Sequence, residues 1–161
     1  MNVAEQENAS IGKLIIFSVS GEDFAVDIFK VCEVITLQEI THLPRAPEFV
    51  EGIINLRGEI IPVICLRKRF GLPPLEEKKD VRIIIVEINK HKVGLIVDAV
   101  KEVFDSNKSQ IQPPPPKLAG VRLDLIIGVG RNKERLFVLL DLEKVLSTDE
   151  KIALEELKVE R

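Results

Sequence analysis

The chain has 161 residues, a formal net charge of -3, and seven Phe without any Tyr or Trp. Proteins that bind nucleic acid need a basic surface and usually aromatic side chains for base stacking, so this composition argues against that class. No apolar run approaches the ~18 residues of a membrane-spanning helix, and the polar, acidic start lacks the pattern of a signal peptide. We therefore expect a globular, cytoplasmic protein without direct membrane insertion.

Three strands are predicted at the start of the chain, because residues 13–20, 24–28 and 31–35 are rich in β-branched and aromatic side chains. The polar turn at 20–23 joins the first two into a hairpin. Two prolines in the loop at 43–48 then exclude regular structure there.

A second hairpin is predicted over residues 52–66, where two apolar runs flank the sequence Leu-Arg-Gly-Glu. Gly58 supplies the backbone angles of a tight turn, which places Arg57 at the tip. Pro62 lacks a backbone donor, so we expect the returning strand to be an edge strand or to carry a bulge. A short helical turn is expected at 67–71.

The charged, proline-containing segment 72–80 is typical of a surface linker and separates the two halves of the chain. The second half predicts strands at 81–88, 93–100, 125–128 and 136–140. The prolines at 113–116 suggest a stiff connector, and the pattern from residue 148 to 161 predicts a short helix that caps the body.

The two halves repeat one another. Val31-Cys32-Glu33-Val34 matches Val100-Lys101-Glu102-Val103, and Gly52 precedes Leu66 by the same 14 positions by which Gly128 precedes Leu142. A duplicated all-β unit of about five strands per half is therefore predicted, as two small barrels with pseudo-two-fold packing. The first lobe is mainly 13–71 and the second mainly 81–146, with exchange of strands between them allowed.

Candidate chemical groups are sparse. Cys32 and Cys65 form no CxxC pair and lie in apolar runs, as buried free cysteines do. Gly128-Val129-Gly130 lacks the third glycine of a dinucleotide-binding fingerprint. Asp27 and Asp98 hold related positions in the two halves, which fits a repeated structural hydrogen bond better than an acid–base pair. We predict no catalytic activity, no cofactor and no metal site.

The sequence Gly-Ile-Ile-Asn-Leu-Arg-Gly at 52–58 is the most specific segment of the chain. With its flanks, and with 24–31, 97–100 and 136–142, it resembles the CheW family, the coupling proteins of bacterial chemotaxis, over about residues 13–147. The same domain occurs in CheA kinases and CheV-type proteins, but 161 residues leave no room for a kinase or receiver domain, so we expect a free-standing coupling protein. The resemblance implies two SH3-like five-stranded β-barrels around a shared core.

The resemblance also implies two partners, namely the regulatory domain of the CheA histidine kinase and the cytoplasmic tip of a chemoreceptor. The protein would join them in membrane receptor arrays, so that receptor state controls kinase autophosphorylation. From the matching positions of the family motif, the resemblance assigns receptor binding to Val31, Glu33, Gly52 and Arg57. Arg57 would give a charge-assisted contact, Val31 apolar area, and Gly52 a close backbone approach.

The resemblance assigns kinase binding to Ile84 and Val97, although burial in a core would account equally well for apolar side chains at these two positions. Two alternative functions remain open. A coupling protein of another CheA-type pathway, such as pilus-driven motility, would have the same pattern. A small-ligand-binding β-barrel or hydrolase would need a pocket with convergent polar groups, and aliphatic side chains filling the barrels would argue against it.

Overall fold

The computed structural model describes residues 12–46, 48, 50–105, 111–114 and 125–145. Its strands are β1 (Lys13–Val19), β2 (Glu22–Asp27), β3 (Val31–Thr36), β4 (Val50–Leu56), β5 (Glu59–Cys65), β6 (Arg82–Ile88), β7 (His91–Val97), β8 (Ala99–Asp105), β9 (Ile126–Asn132) and β10 (Arg135–Leu140). A 3-10 turn (Ile28–Lys30) and two short helices, α1 (Leu66–Arg69) and α2 (Leu142–Val145), complete the elements. The helix predicted for 148–161 and prolines 115–116 lie outside the described residues.

The strands form two five-stranded sheets of matching topology. Sheet I has the order β8-β1-β2-β10-β9, and sheet II has the order β3-β6-β7-β5-β4. In each sheet a hairpin is flanked by an antiparallel strand on one side and by a parallel strand on the other, β10 beside β2 and β5 beside β7. The predicted all-β fold of two SH3-like five-stranded barrels is therefore confirmed.

The chain passes between the sheets at two places, the turn Ile28–Lys30 and Asp98. Sheet II is built from residues 31–97, whereas sheet I combines β1 and β2 with the three last strands. The predicted division into 13–71 and 81–146 thus does not coincide with the sheets, because the parallel pairing of β2 with β10 joins the two ends of the chain. Asp98 also interrupts the single strand predicted for 93–100. The domain limit at residue 147 stays a prediction.

Three clusters of buried apolar side chains fill the molecule. The interior of sheet I is filled by Leu14, Ile16, Ala25, Phe137 and Leu139. The interior of sheet II is filled by Ile54, Ile61, Val63, Ile83 and Ile85. A third, larger cluster draws residues from both sheets and forms the shared core between them. The interior of sheet II is aliphatic and that of sheet I adds the ring of Phe137, and this apolar filling of both barrels argues against the ligand-binding barrel.

The apolar run of β6 is nearly continuous because both faces of this strand are buried. Ile83 and Ile85 point into the barrel of sheet II, whereas Ile84, Val86 and Ile88 enter the shared core, since neighbouring residues of a strand face opposite sides. Ile84 is fully buried and Val97, on β7, is 1% exposed. Neither of the two predicted kinase-binding side chains is accessible to a partner in this structure.

The β4–β5 hairpin closes through a two-residue turn in which Arg57 and Gly58 both have positive φ, 51° and 88°. Of the two alternatives expected for β5, the edge position is wrong, because β5 lies between β4 and β7. An irregularity in the β4–β5 register does occur, but it lies between Val50 and Gly52 on β4 and not at Pro62.

Two features make Pro62 acceptable in β5. Ile53, the residue opposite Pro62 on β4, makes its backbone hydrogen bonds to Thr41 and not to Pro62. On the other side, the pairing of β5 with β7 begins only at Val63. No ladder bond therefore needs a donor from Pro62.

Asp98 ties the two sheets together at the second crossing. It accepts hydrogen bonds from Arg67 Nε and Nη2, both at 2.8 Å, and from the Ser20 N–H at 2.7 Å. Asp27 caps the other crossing by accepting the Phe29 N–H at 3.0 Å. Both aspartates therefore make structural hydrogen bonds, as predicted, but the bonds are not a repeat of one another, since Asp27 caps a turn and Asp98 binds Arg67 and Ser20. Burial alone would raise the pKa of Asp98, but the donors from Arg67 and Ser20 outweigh it and hold the pKa below its ordinary value.

Replacing Asp98 with Asn should lower the free energy of unfolding by about 2 kcal/mol at pH 7. A carboxylate whose pKa is lower in the folded state contributes stability above its unfolded pKa of ~3.9, and this contribution is lost as pH falls. The difference between native protein and Asp98→Asn should therefore shrink below about pH 4. Urea unfolding at several pH values measures it, with Glu87→Gln, at an exposed position of β6, as the control. A difference independent of pH would contradict the assignment.

Candidate functional site

Arg57 and Glu33 form an ion pair that joins opposite ends of sheet II. Arg57 lies at the β4–β5 tip and Glu33 lies on β3, the strand at the other end of the sheet order. Arg57 Nη1 donates to Glu33 Oε1 at 3.3 Å, and Nη2 donates to Oε2. The side chain of Arg57 is 67% exposed and that of Glu33 is 31% exposed. The pair closes the barrel at this end and still presents a guanidinium to solvent.

A second ion pair flanks the first, with Lys92 Nζ donating to Glu59 Oε2 at 3.0 Å. Donation from Arg57 is the main reason that the pKa of Glu33 lies below its ordinary value, and attraction to Arg57 and Lys92 adds to it. Glu33 in turn raises the pKa of Arg57. Arg57, Glu33, Lys92 and Glu59 are here called the ionic cluster.

Val31 begins β3 two residues before Glu33 and is half-buried against the shared core. Its strand partner is Val86, and an irregularity in register separates this pair from the next pair, formed by Glu33 and Ile85. Val31 and Glu33 thus lie two positions apart on β3, and Arg57 binds Glu33. Receptor contact by these residues stays a prediction.

Gly52 lies on β4 and is buried. A Cβ atom at this position would collide with the carbonyl oxygen of Thr41 and would lie 2.6 Å from Ile40 Cγ2. Thr41 and Ile53 exchange backbone hydrogen bonds at 2.9 Å in both directions, which fastens the segment after β3 onto β4. The close approach predicted at Gly52 therefore exists, but a segment of this chain makes it. A receptor could reach Gly52 only by displacing Thr41.

Gly128 repeats this arrangement in sheet I. A Cβ atom there would lie 2.6 Å from both the Gln112 carbonyl oxygen and Ile111 Cγ2, and Gln112 forms a bridge with Val129. The repeat inferred from the matched spacing of Gly52 and Gly128 is thus confirmed in atomic contacts.

Gly52→Ala should destabilise the protein by about 2 kcal/mol, because the new methyl group meets backbone atoms that cannot rotate away. Thermal unfolding of the variant measures the loss. Gly12→Ala is the control, since a Cβ there meets no atom within 4 Å. An equal melting temperature for both variants would show that the 40–41 segment moves aside at little cost.

Lys92 and Glu59 of the ionic cluster were not predicted from the sequence. Their equivalents in sheet I have the opposite polarity, since Asp23 on β2 binds Arg135 at the start of β10 at 2.9 Å. Asp23 also accepts from Lys101 at 2.8 Å. Burial would raise the pKa of Asp23, but these two cations lower it overall. Only the repeat could have signalled these pairs, by aligning Lys92 with Asp23.

The ionic cluster can make directional contacts to another molecule. Within the described ranges no group of three or more His, Cys, Asp or Glu side chains is arranged to hold a metal ion. The ionic cluster offers charge-assisted hydrogen bonds at an exposed hairpin tip, and such contacts are directional and well suited to binding another protein.

A family profile described as the CheW-like domain matches residues 13–150. The chain belongs to the CheW-like domain family. The chemotaxis protein CheW of Klebsiella aerogenes is 31% identical over 149 residues, which cover 92% of this chain and 90% of that protein. The chemotaxis protein CheW of Bacillus subtilis is 34% identical over 140 residues, which cover 85% of this chain and 88% of that protein.

Among solved structures, the scaffolding protein TtCheW from Thermoanaerobacter tengcongensis is similar in fold and sequence. Its crystal structure matches with a TM-score of 0.76 and 44% identity, covering 86% of this chain and 94% of that one. Its similarity to the CheW relatives and to this scaffold structure indicates that the protein is a coupling scaffold of chemotaxis. In the part of the chain that the structure describes, no helix is both long and apolar enough to cross a membrane.

Proposed function

We propose that this CheW-type protein binds the cytoplasmic tip of a chemoreceptor through the ionic cluster and the regulatory domain of a CheA histidine kinase through a second surface. It acts in the cytoplasm, is recruited to membrane arrays by these partners, and has no catalytic step of its own. The exposed Arg57–Glu33 pair is the observation that supports the receptor half of the proposal most directly.

The geometry of the hairpin tip favours binding. Arg57 sits in a two-residue turn with fixed backbone angles, and Glu33 holds its guanidinium in one orientation. A side chain that is already ordered loses less conformational entropy when a partner arrives, so more of the contact energy remains as affinity. Asn55 Oδ1, which accepts the Gly58 N–H at 2.8 Å, stabilises the same turn.

Kinase binding through Ile84 and Val97 would require the shared core to open, because both side chains are buried in it. The kinase surface must therefore consist of exposed residues. Control of the kinase has a further requirement. The complex of receptor, this protein and kinase must differ in free energy between the two signalling states of the receptor, because a protein that binds both states equally well shifts no equilibrium.

Sedimentation velocity with a receptor-tip fragment and a CheA regulatory domain, added singly and together, tests the proposal. We expect two binary complexes and one complex that contains all three proteins. The receptor fragment and the regulatory domain sedimented together without this protein are the control, and they should not form that complex. Failure to bind either partner at tens of micromolar would refute the proposal. Fragments from flagellar and pilus pathways, compared in the same way, distinguish the two types of pathway.

A further inference from the structure

Phe29 is the most exposed large apolar side chain among the residues described, with 80% of its surface open to solvent. It lies in the 3-10 turn Ile28–Lys30, where the chain crosses from sheet I to sheet II. A phenyl ring in water forfeits the free energy that its burial would provide, so a ring held out from the surface is a candidate contact for a partner.

The backbone under Phe29 is fixed on both sides. Asp27 Oδ1 accepts the Phe29 N–H at 3.0 Å, and the Val31 N–H donates to the Ile28 carbonyl oxygen. The side chain of Ile28 packs against the shared core. The backbone that carries the ring is therefore already ordered, and a partner that binds the ring restricts the conformation of little more than this one side chain.

The surroundings of Phe29 connect it with the ionic cluster. The strand β3 starts two residues after Phe29, and it carries Val31 and Glu33. Beside the ring, Lys30 Nζ lies 3.6 Å from Glu143 Oε1 of α2, so the charge next to Phe29 already has a partner within this chain. A short stretch of chain therefore links the exposed ring of Phe29 to Glu33, which binds the guanidinium of Arg57.

We infer that Phe29 is an apolar anchor for the same receptor that the ionic cluster binds, and that it inserts into a groove lined by aliphatic side chains on the receptor tip. This inference rests on the proposed function. Aromatic residues that enter apolar pockets dominate the energy of many interfaces, while the polar contacts around them set orientation. Phe29 would supply affinity, and Arg57 would supply direction.

Titration calorimetry of the receptor-tip fragment into Phe29→Gln, Phe29→Leu and Leu136→Gln tests the inference. Leu136, on β10, is 60% exposed and serves as the matched apolar control. We expect Phe29→Gln to raise the receptor Kd by about thirtyfold, Phe29→Leu to raise it only a few-fold, and Leu136→Gln to leave it unchanged. All three variants should melt at the native temperature and bind the kinase regulatory domain as the native protein does.

Native receptor affinity in Phe29→Gln, together with weakened binding in Arg57→Ala, would overturn the inference and leave the proposed function standing. If the native protein binds no receptor fragment, the proposed function fails and the inference fails with it. Sedimentation of the protein alone covers a further case. If Phe29→Gln dissociates a native dimer without changing receptor affinity, the ring contacts a second copy of this chain and the inference is wrong.

Discussion

Ile84→Asp should remove the folded state, because it places a carboxylate in the shared core between the two sheets. Ile84 is fully buried among apolar side chains of both sheets, and none of these can pair with a charge. An unpaired charge in such a site costs more than about 4 kcal/mol, which is most of the ~5–15 kcal/mol that stabilises a typical domain. Circular dichroism during urea or thermal unfolding measures the effect.

Two control variants separate burial from kinase contact at this position. Ile84→Val removes one methylene and should cost about 1 kcal/mol. Val103→Asp introduces the same charge on β8, where Val103 is exposed, and should unfold at nearly the native midpoint. A folded Ile84→Asp protein that has lost only kinase binding would contradict this expectation and support the kinase contact predicted from the sequence.

Arg57→Ala should raise the receptor Kd by about tenfold to a hundredfold while the protein stays folded. The side chain is exposed at the tip, and an exposed ion pair contributes little to folding because solvent and salt screen it. Alanine also keeps the handedness of the turn, at a strain similar to that of arginine at φ 51°. Titration of the receptor fragment, paired with thermal unfolding, separates binding from stability.

Arg57→Lys is the informative companion to the alanine variant. Lysine retains the charge but lacks the planar fork that meets both oxygens of a carboxylate, so intermediate affinity is expected. Lys92→Ala removes a cation from the same cluster without removing the fork, and it should weaken binding less than Arg57→Ala does. If Lys92→Ala and Arg57→Ala weaken binding equally, the net charge of the cluster matters and the geometry of Arg57 does not.

The hairpins could be predicted from sequence because each is coded locally. The Gly58 turn, for example, separates two runs of β-branched residues within a few positions, and the structure has the hairpin there. The assignment of strands to sheets could not be predicted, since β2 and β10 pair in parallel across almost the whole chain. Strand pairs so distant in sequence leave no local pattern for sequence analysis to find.

The predicted site residues also differ in how far local sequence determines their position. Arg57 could be placed at a tip because turns are local, but its partner Glu33 lies on a strand at the far end of the sheet order. Ile84 and Val97 could not be assigned to core or surface, because a strand buried on both faces has no alternation of polar and apolar residues to reveal its outer side. Phe29 is exposed because the chain crosses between the sheets at this turn, and no local sequence pattern marks that crossing.

The two crossings between the sheets also set an order for folding during synthesis. Strands β3 to β7 are contiguous, so sheet II can assemble as soon as residue 97 has left the ribosome. Strands β1 and β2 are made first, yet they must wait for β8 and β10 before their edges are paired. A chain cut short before β10 therefore exposes the edge of a hydrophobic hairpin, which favours aggregation. Free chains truncated after residue 110 are expected to resist protease within 31–97 and to be cleaved in the first hairpin.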